Sequence, residues 1–158
     1  MKKRCIFSCL CFALVLLFSS CTGGQTDYLD VFRQDFAGEV EGELYGMDFS
    51  AGVARTGDEV IFTFYAPQSL SGVSVRRDAA GEVSVCGSEL TLPDSAARFA
   101  PLLELFPTTG AVSAAEVTPE GRTRVAGEGF AVEFLSDGTP YLLERGACRA
   151  RVVSFAAK

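Results

Sequence analysis

The sequence contains no histidine and no tryptophan, and it has only two methionines among its 158 residues. Without histidine the chain cannot build a Ser-His-Asp or Cys-His pair, because the imidazole base is missing. Histidine-ligated metal sites are excluded for the same reason. We therefore expect a protein that is not an enzyme and that holds no metal and no cofactor.

Basic residues are also scarce, with 14 Lys and Arg against 20 Asp and Glu and a formal net charge of −6. The imbalance is concentrated in residues 27–59, which hold nine of the acidic residues but only two basic ones, Arg33 and Arg55. An acidic surface repels phosphate backbones, so we exclude nucleic acid as a partner. The same acidic N-terminal face suits a basic protein partner.

The N-terminus has the pattern of a secretory signal. Lys2, Lys3 and Arg4 precede an apolar run of 14 residues, 5–18, which only Ser8 interrupts. This run has the length of a signal-peptide core and falls short of the roughly 20 residues that span a bilayer. We therefore expect the protein to be exported.

The four residues Phe18-Ser19-Ser20-Cys21 end this segment and resemble a bacterial lipobox. The resemblance implies that Cys21 carries a diacylglycerol thioether and becomes the new N-terminus. An ordinary secretory signal cut near Ser20 is the other interpretation. On the first interpretation residues 1–20 are a lipoprotein signal peptide, residues 21–36 are the lipidated cysteine with a tether and lead-in, and residues 37–158 are a single β-rich domain.

A lipid anchor would place the protein at the cell membrane or the outer envelope. Removal of residues 1–20 takes away three basic residues and no acidic ones, which leaves a net charge of −9. Such a domain gains no attraction to an anionic bilayer, so the lipid would be its link to the membrane.

Alternation of apolar and polar residues with a period of two begins at Ala37 and predicts β-strands. Residues 60–66 are the most β-prone run, and turn signals such as Asp137-Gly138 recur along the chain. We predict about ten antiparallel strands. Before them, Tyr28, Val31, Phe32 and Phe36 have the spacing of one helical face, and an irregular lead-in strand is the alternative.

One helical segment interrupts the strands. Phe99, Leu102, Leu103 and Phe106 follow the i, i+3, i+4, i+7 spacing of a single helix face. Pro101 lies within the segment and must kink the helix or begin a second one. The apolar stripe either packs onto the sheet as core or forms a lid over an apolar cavity.

Two thiols remain in the part of the chain that folds, Cys86 and Cys148. In an exported chain they form one disulfide or stay as two separate buried thiols, and the sequence leaves both open. The arginine pair Arg149 and Arg151 shares one strand face. Such a pair can bind an anionic head group or oppose glutamates on a solvated face.

Three carboxylates at alternate positions, Glu39, Glu41 and Glu43, also share one strand face. They could hold a divalent cation weakly, although Ca²⁺ prefers six to eight oxygen ligands from a looped chain. A solvated face that discourages edge pairing is the other interpretation.

Residues 64–73 read Phe-Tyr-Ala-Pro-Gln-Ser-Leu-Ser-Gly-Val. This strand-Pro-x-x-Leu-x-Gly-strand step resembles that of small exported lipoproteins in the superfamily of the lipoprotein carriers LolA and LolB. The resemblance covers ten residues in letters and most of the mature chain in layout. It implies a mainly β (α+β) fold, in which a curved, antiparallel, half-barrel-like sheet packs one helical segment on its concave face and takes up acyl chains.

Two functions follow for a membrane-anchored envelope lipoprotein. In the first, the space between sheet and helix binds an apolar or acyl ligand. The residues lining that space would be Phe49, Phe62, Phe64, Phe99, Leu102, Leu103, Phe106, Phe130, Val132 and Phe134. In the second, the same residues form a dry core, and the protein is an assembly or inhibitor module whose acidic face contacts a basic partner.

Overall fold

The computed structural model describes residues 27–87 and 95–158 as ten β-strands and two short helices. The helices are α1 (Asp30–Arg33) and α2 (Ser95–Leu103). The strands are β1 (Phe36–Leu44), β2 (Met47–Thr56), β3 (Glu59–Ala66), β4 (Ser74–Arg77), β5 (Val83–Cys86), β6 (Val112–Val117), β7 (Thr123–Gly127), β8 (Phe130–Phe134), β9 (Pro140–Arg145) and β10 (Cys148–Ala157). The signal, the lipobox and Cys21 lie outside the described residues.

The ten strands form one open antiparallel sheet in the order β5-β4-β3-β2-β1-β10-β9-β8-β7-β6. Each half is a meander of sequence neighbours, and α2 connects the two halves along the chain. The halves join where β1 pairs with β10, from Phe36 opposite Ala157 to Leu44 opposite Cys148. The predicted fold class, a curved antiparallel half-barrel with a helix against it, is confirmed.

The concave face of the sheet carries the core. On β3, Val60, Phe62 and Phe64 are fully buried, whereas Ile61 and Thr63 on the other face are half-buried. Full burial of one such apolar side chain stabilises the fold by about 1.5–3 kcal/mol. The period of two therefore decides which side of each strand faces the core.

Helix α2 places its apolar stripe against this face. Phe99, Leu102 and Leu103 are buried, and Phe106 follows in the segment after the helix with its ring 6.3 Å from that of Phe62. Pro101 lies inside α2 and does not begin a second helix. Among the described residues neither helix combines the length and apolarity that crossing a membrane requires.

The lead-in belongs to the domain. Leu29, Phe32 and Phe36 are buried, and the Phe32 ring lies 5.5 Å from that of Phe106. The predicted boundary at Ala37 is therefore too late, because α1 and the first residue of β1 fill part of the core.

The candidate disulfide does not form, since Cys86 and Cys148 are both free thiols. Cys86 is exposed on the edge strand β5, while Cys148 is buried on β10. Five strand spacings of about 4.8 Å separate β5 from β10, whereas disulfide-bonded Cα atoms lie within about 7 Å. The sequence showed that both cysteines lie on strands but not how far apart those strands are in the sheet.

Candidate functional site

An apolar groove opens at the end of the sheet where β1 turns into β2, which we call the hairpin end. The cavity has a volume of about 590 Å³. Three segments meet around it: the β1–β2 hairpin, the loop between β3 and β4, and the first half of α2. The lining residues, which together define the hairpin groove, are Leu44, Tyr45, Met47, Ser69, Leu70, Ala97, Arg98 and Phe99.

The hairpin turn presents two large apolar side chains at the groove. Tyr45 and Gly46 form a two-residue turn with φ angles of 51° and 79°. A tight turn of this kind requires positive φ at both positions, which Gly46 adopts readily and Tyr45 rarely does. Tyr45 and Met47 are 61% and 38% exposed. The sharp reversal thus keeps both side chains out of the core and beside the cavity.

The opposite wall comes from the loop after Pro67. The Leu70 amide donates to the carbonyl of Pro67 at 2.9 Å, and the Val73 amide donates to the carbonyl of Leu70 at the same distance. Gly72 is anchored to β3 through its amide, which donates to the carbonyl of Phe64 at 2.9 Å. These bonds fold the loop back on β3, so that Leu70 packs against the core.

The floor of the groove is the end of the core itself. Leu44 and Phe99 line the cavity and are buried from bulk solvent. The Phe99 ring lies 6.1 Å from that of Phe64, and the Phe64 ring lies 5.9 Å from that of Phe49. A ligand in the groove would therefore contact the surface of a continuous aromatic cluster.

All ten residues that the sequence singled out as ligand lining are buried members of one hydrophobic core. Phe99 is the member of this set that also lines the hairpin groove. Within the core, aromatic rings pack on one another, as Phe36 and Phe106 do with centroids 4.8 Å apart. The ten predicted residues thus form the hydrophobic core, and the hairpin groove opens at the end of this core where Phe99 lies.

Leu44, Tyr45, Met47 and Leu70 were missed as groove residues. Alternation marks Leu44 as core, the Tyr-Gly pair marks a turn, and neither pattern indicates that the two lie beside α2. The remaining signal was the pair of large apolar residues, Tyr45 and Met47, around a turn, where polar residues are usual.

The acidic strand face lies partly opposite arginines, one of which forms an ion pair with it. Glu41 and Glu43 lie opposite Arg151 and Arg149 on β10. Arg151 donates to Glu41 at 3.0 Å. Among the described residues no cluster of three or more metal-ligating side chains occurs. The arrangement matches glutamates and arginines on a solvated face, as one sequence interpretation proposed.

A second ion-pair network covers the outer face of the other half of the sheet. Glu133 is 9% exposed and accepts hydrogen bonds from Arg122 at 3.0 Å and Arg124 at 3.1 Å. Arg124 also donates to Glu144 at 2.7 Å, and this bond raises the pKa of Arg124. Arg122 stacks on Tyr141 at 4.1 Å from the ring centroid. Both arginines therefore already have partners on neighbouring strands of the sheet.

Arg55 is a buried charge that the sequence did not single out. It lies on the concave side of β2, at the end of the sheet away from the hairpin, and is 5% exposed. Its Nη2 is 3.5 Å from Asp58, whereas Nε and Nη1 have no hydrogen-bond partner among the described residues. Desolvation lowers the pKa of Arg55.

No known family model and no curated protein matches the sequence. Solved structures with a similar fold include MucB, with a TM-score of 0.50 and 13% identity over 87% of this chain. The alignment covers 60% of MucB, so this chain spans less than two thirds of that protein. At this identity the similarity shows a shared fold.

Two further solved structures are similar at lower TM-scores. An uncharacterized conserved protein from Thermus thermophilus is 14% identical, with a TM-score of 0.47 over 84% of this chain and 86% of that one. A LolA superfamily protein from Nitrosomonas europaea is 9% identical, with a TM-score of 0.38 over 83% and 92% of the two chains. A member of the LolA superfamily is thus among the structural neighbours, as the sequence resemblance predicted.

Proposed function

We propose that the protein is an exported, lipid-anchored, non-enzymatic envelope protein that binds the apolar part of a ligand in the hairpin groove. The observation that carries this proposal is the groove itself, an opening of about 590 Å³ at the end of the aromatic core. Ligand sites are concave, mostly apolar and about 300–1,000 Å³ in volume.

The exposed side chains beside the groove support a binding role. Tyr45 and Met47 present apolar surface to solvent next to a cavity whose floor is Leu44 and Phe99. Covering this surface with an alkyl chain would contribute about 0.8 kcal/mol per buried methylene. Methionine adds adaptability, because its flexible thioether fits ligands of different shape.

The two cysteines of the folded part give little chemical support for catalysis. Burial raises the pKa of the Cys148 thiol to about 12, so this sulfur is not a thiolate nucleophile at neutral pH. Cys86 is exposed on β5, and the chain has no histidine to activate it. Binding is therefore the function that the available chemistry favours.

Binding can be tested on residues 22–158, which contain every described strand, both helices and the whole described core. The uncharged fluorophore N-phenyl-1-naphthylamine reports occupancy, and octanol and decanol compete with it. We expect the wild-type domain to bind the fluorophore. Decanol should displace it about tenfold better than octanol, because its chain has two more methylenes to bury.

Two equally exposed residues give a matched pair of variants. Met47 lines the groove, while Leu135 follows β8 at the opposite end of the sheet, and both are 38% exposed. Met47→Glu should weaken fluorophore binding about tenfold, since it places a charge against the apolar ligand. Leu135→Glu should leave binding unchanged. Absence of fluorophore binding by the wild-type domain, or equal losses in the two variants, would contradict the proposal.

Failure of that test would favour the alternative function, a protein-interaction module with a basic partner. This alternative has weaker support from the charges, because Glu41 already pairs with Arg151 at 3.0 Å. Exposed acids that remain for a basic partner include Glu39 and Asp48.

A further inference from the structure

We propose that the ligand of the hairpin groove is an anionic amphiphile, whose carboxylate or phosphate head binds Arg98 while its alkyl chain lies in the groove. This inference rests on the proposed function and adds the chemical class of the ligand. Two observations support it: the described groove lining carries hydrogen-bond donors, and it carries no acidic side chain.

The polar side chains of the described lining can all donate hydrogen bonds. They are the phenol of Tyr45, the hydroxyl of Ser69 and the guanidinium of Arg98. Among the described residues, the groove lining contains no Asp and no Glu, although acids outnumber bases by 20 to 14 in the whole chain. Because Arg98 is the charged side chain in this described lining, the groove should disfavour cationic ligands and favour anionic ones.

Arg98 differs from most arginines of the described residues because no described carboxylate pairs with it. Eight of the ten described arginines form ion pairs, and the other exception, Arg77, does not line the groove. Arg98 is also exposed, so its guanidinium can meet a ligand without breaking an ion pair among these residues.

The neighbouring position of α2 supplies the apolar half of the site. Phe99 follows Arg98 directly and lies on the groove floor, 5% exposed. One turn of helix therefore presents a charge at the rim and an aromatic ring at the floor. The guanidinium offers a planar fork of N–H donors that matches carboxylates and phosphates and stays protonated at all physiological pH values.

Four ligands with the same ten-carbon chain separate the head group from the tail: decanoate, decyl phosphate, decanol and decyltrimethylammonium. Each competes with N-phenyl-1-naphthylamine for residues 22–158 at low ionic strength, below its own micelle concentration. We expect at least one of the two anions to bind about tenfold more tightly than decanol, because charged hydrogen bonds add to the shared apolar contact. The ammonium should bind most weakly. Tighter binding of decanoate or of decyl phosphate identifies the head group that the site prefers.

Variants of Arg98 connect the preference to this side chain. Arg98→Gln should make the anions bind no better than decanol, while decanol itself binds as before. Arg98→Lys should keep a reduced preference, since its charge remains but the fork is lost. Arg149→Gln, which changes an exposed arginine on the outer face of β10, should leave the order of the four ligands unchanged.

The outcomes distinguish this inference from the function on which it rests. If all four ligands bind equally to the wild-type domain, or if Arg98→Gln keeps the anion preference, the anionic-head inference is wrong and the groove remains an apolar site. If the domain binds neither the fluorophore nor any of the four ligands, the proposed function itself fails.

Discussion

At the scale of single residues, Arg55 is the least satisfied polar group that the structure describes. Its Nε and Nη1 are buried and have no hydrogen-bond partner among the described residues, and its ion-pair partner Asp58 is 83% exposed. Arginine does not lose its proton to escape this environment, because its ordinary pKa is far above neutral. The burial of this charge therefore lowers the stability of the folded state.

We expect Arg55→Met to stabilise the domain by about 1–3 kcal/mol, because an apolar side chain of similar length removes the uncompensated charge. Urea unfolding of residues 22–158, followed by circular dichroism, measures the difference. The control is Arg76→Met, which removes the exposed ion pair with Glu59 and should change the free energy of unfolding by about 1 kcal/mol or less. A loss of stability in Arg55→Met would show that the guanidinium is satisfied in solution.

At the scale of elements, the sequence predicted the strands whose two faces differ. On β3 the buried Val60, Phe62 and Phe64 alternate with less buried residues, and this pattern is visible in the letters. The letters of strand β6 give no such signal, because five of its six residues are exposed and do not alternate with buried ones. A strand at the edge of a sheet with both faces bare carries no periodic signal.

The groove could not be predicted, because it joins segments that are distant in sequence. Leu44, Leu70 and Phe99 each read as ordinary core residues, and their common cavity depends on where the β3–β4 loop and α2 meet the hairpin. The stripe on α2 predicted the contact with the sheet. It did not show that the stripe ends at an opening.

The pairing of β1 with β10 is the one junction between the two meanders of the described sheet. At Gly42 these strands approach closely, since a Cβ there would overlap the carbonyl oxygen of Arg149 and lie 2.6 Å from the Cα of Ala150. The obstacle is backbone, so a rotamer change cannot relieve it.

We therefore expect Gly42→Ala to destabilise the domain by about 3 kcal/mol or more, because the two halves of the sheet must move apart. The neighbouring Glu43→Ala, whose exposed side chain lies on the outer face, should change the unfolding free energy by about 0.5 kcal/mol or less. The urea midpoints of the two variants and of the wild-type domain measure both effects. Equal midpoints for Gly42→Ala and the wild type would show that the junction tolerates a wider spacing.

At the scale of the whole molecule, the structure separates stability from binding. The aromatic core fills the concave face, and the groove occupies one end of it, formed by a hairpin, a loop and the first half of α2. Changes at the groove rim should therefore alter ligand binding with little effect on folding, whereas changes at Gly42 act on the fold. Met47→Glu therefore tests ligand binding, and Gly42→Ala tests the stability of the fold.

For the whole protein, we expect attachment to a membrane through Cys21. The part of the chain after residue 20 carries a net charge of −9, so an anionic bilayer does not attract it. A diacylglycerol on Cys21 would hold it, because two acyl chains anchor far more firmly than one. Expressed as the full chain in bacteria fed radioactive palmitate, the wild type should be labelled and sediment with membranes.

Cys21→Ser should lose the label and remain in the soluble exported fraction, because a serine cannot form the thioether. Cys86→Ser, which removes an exposed thiol on β5, is the matched control and should keep both the label and the membrane location. If Cys21→Ser is labelled and sediments like the wild type, the anchor is elsewhere. If the wild type itself is unlabelled and soluble, the N-terminus is an ordinary secretory signal cut near Ser20, and the groove then belongs to a freely diffusing exported protein.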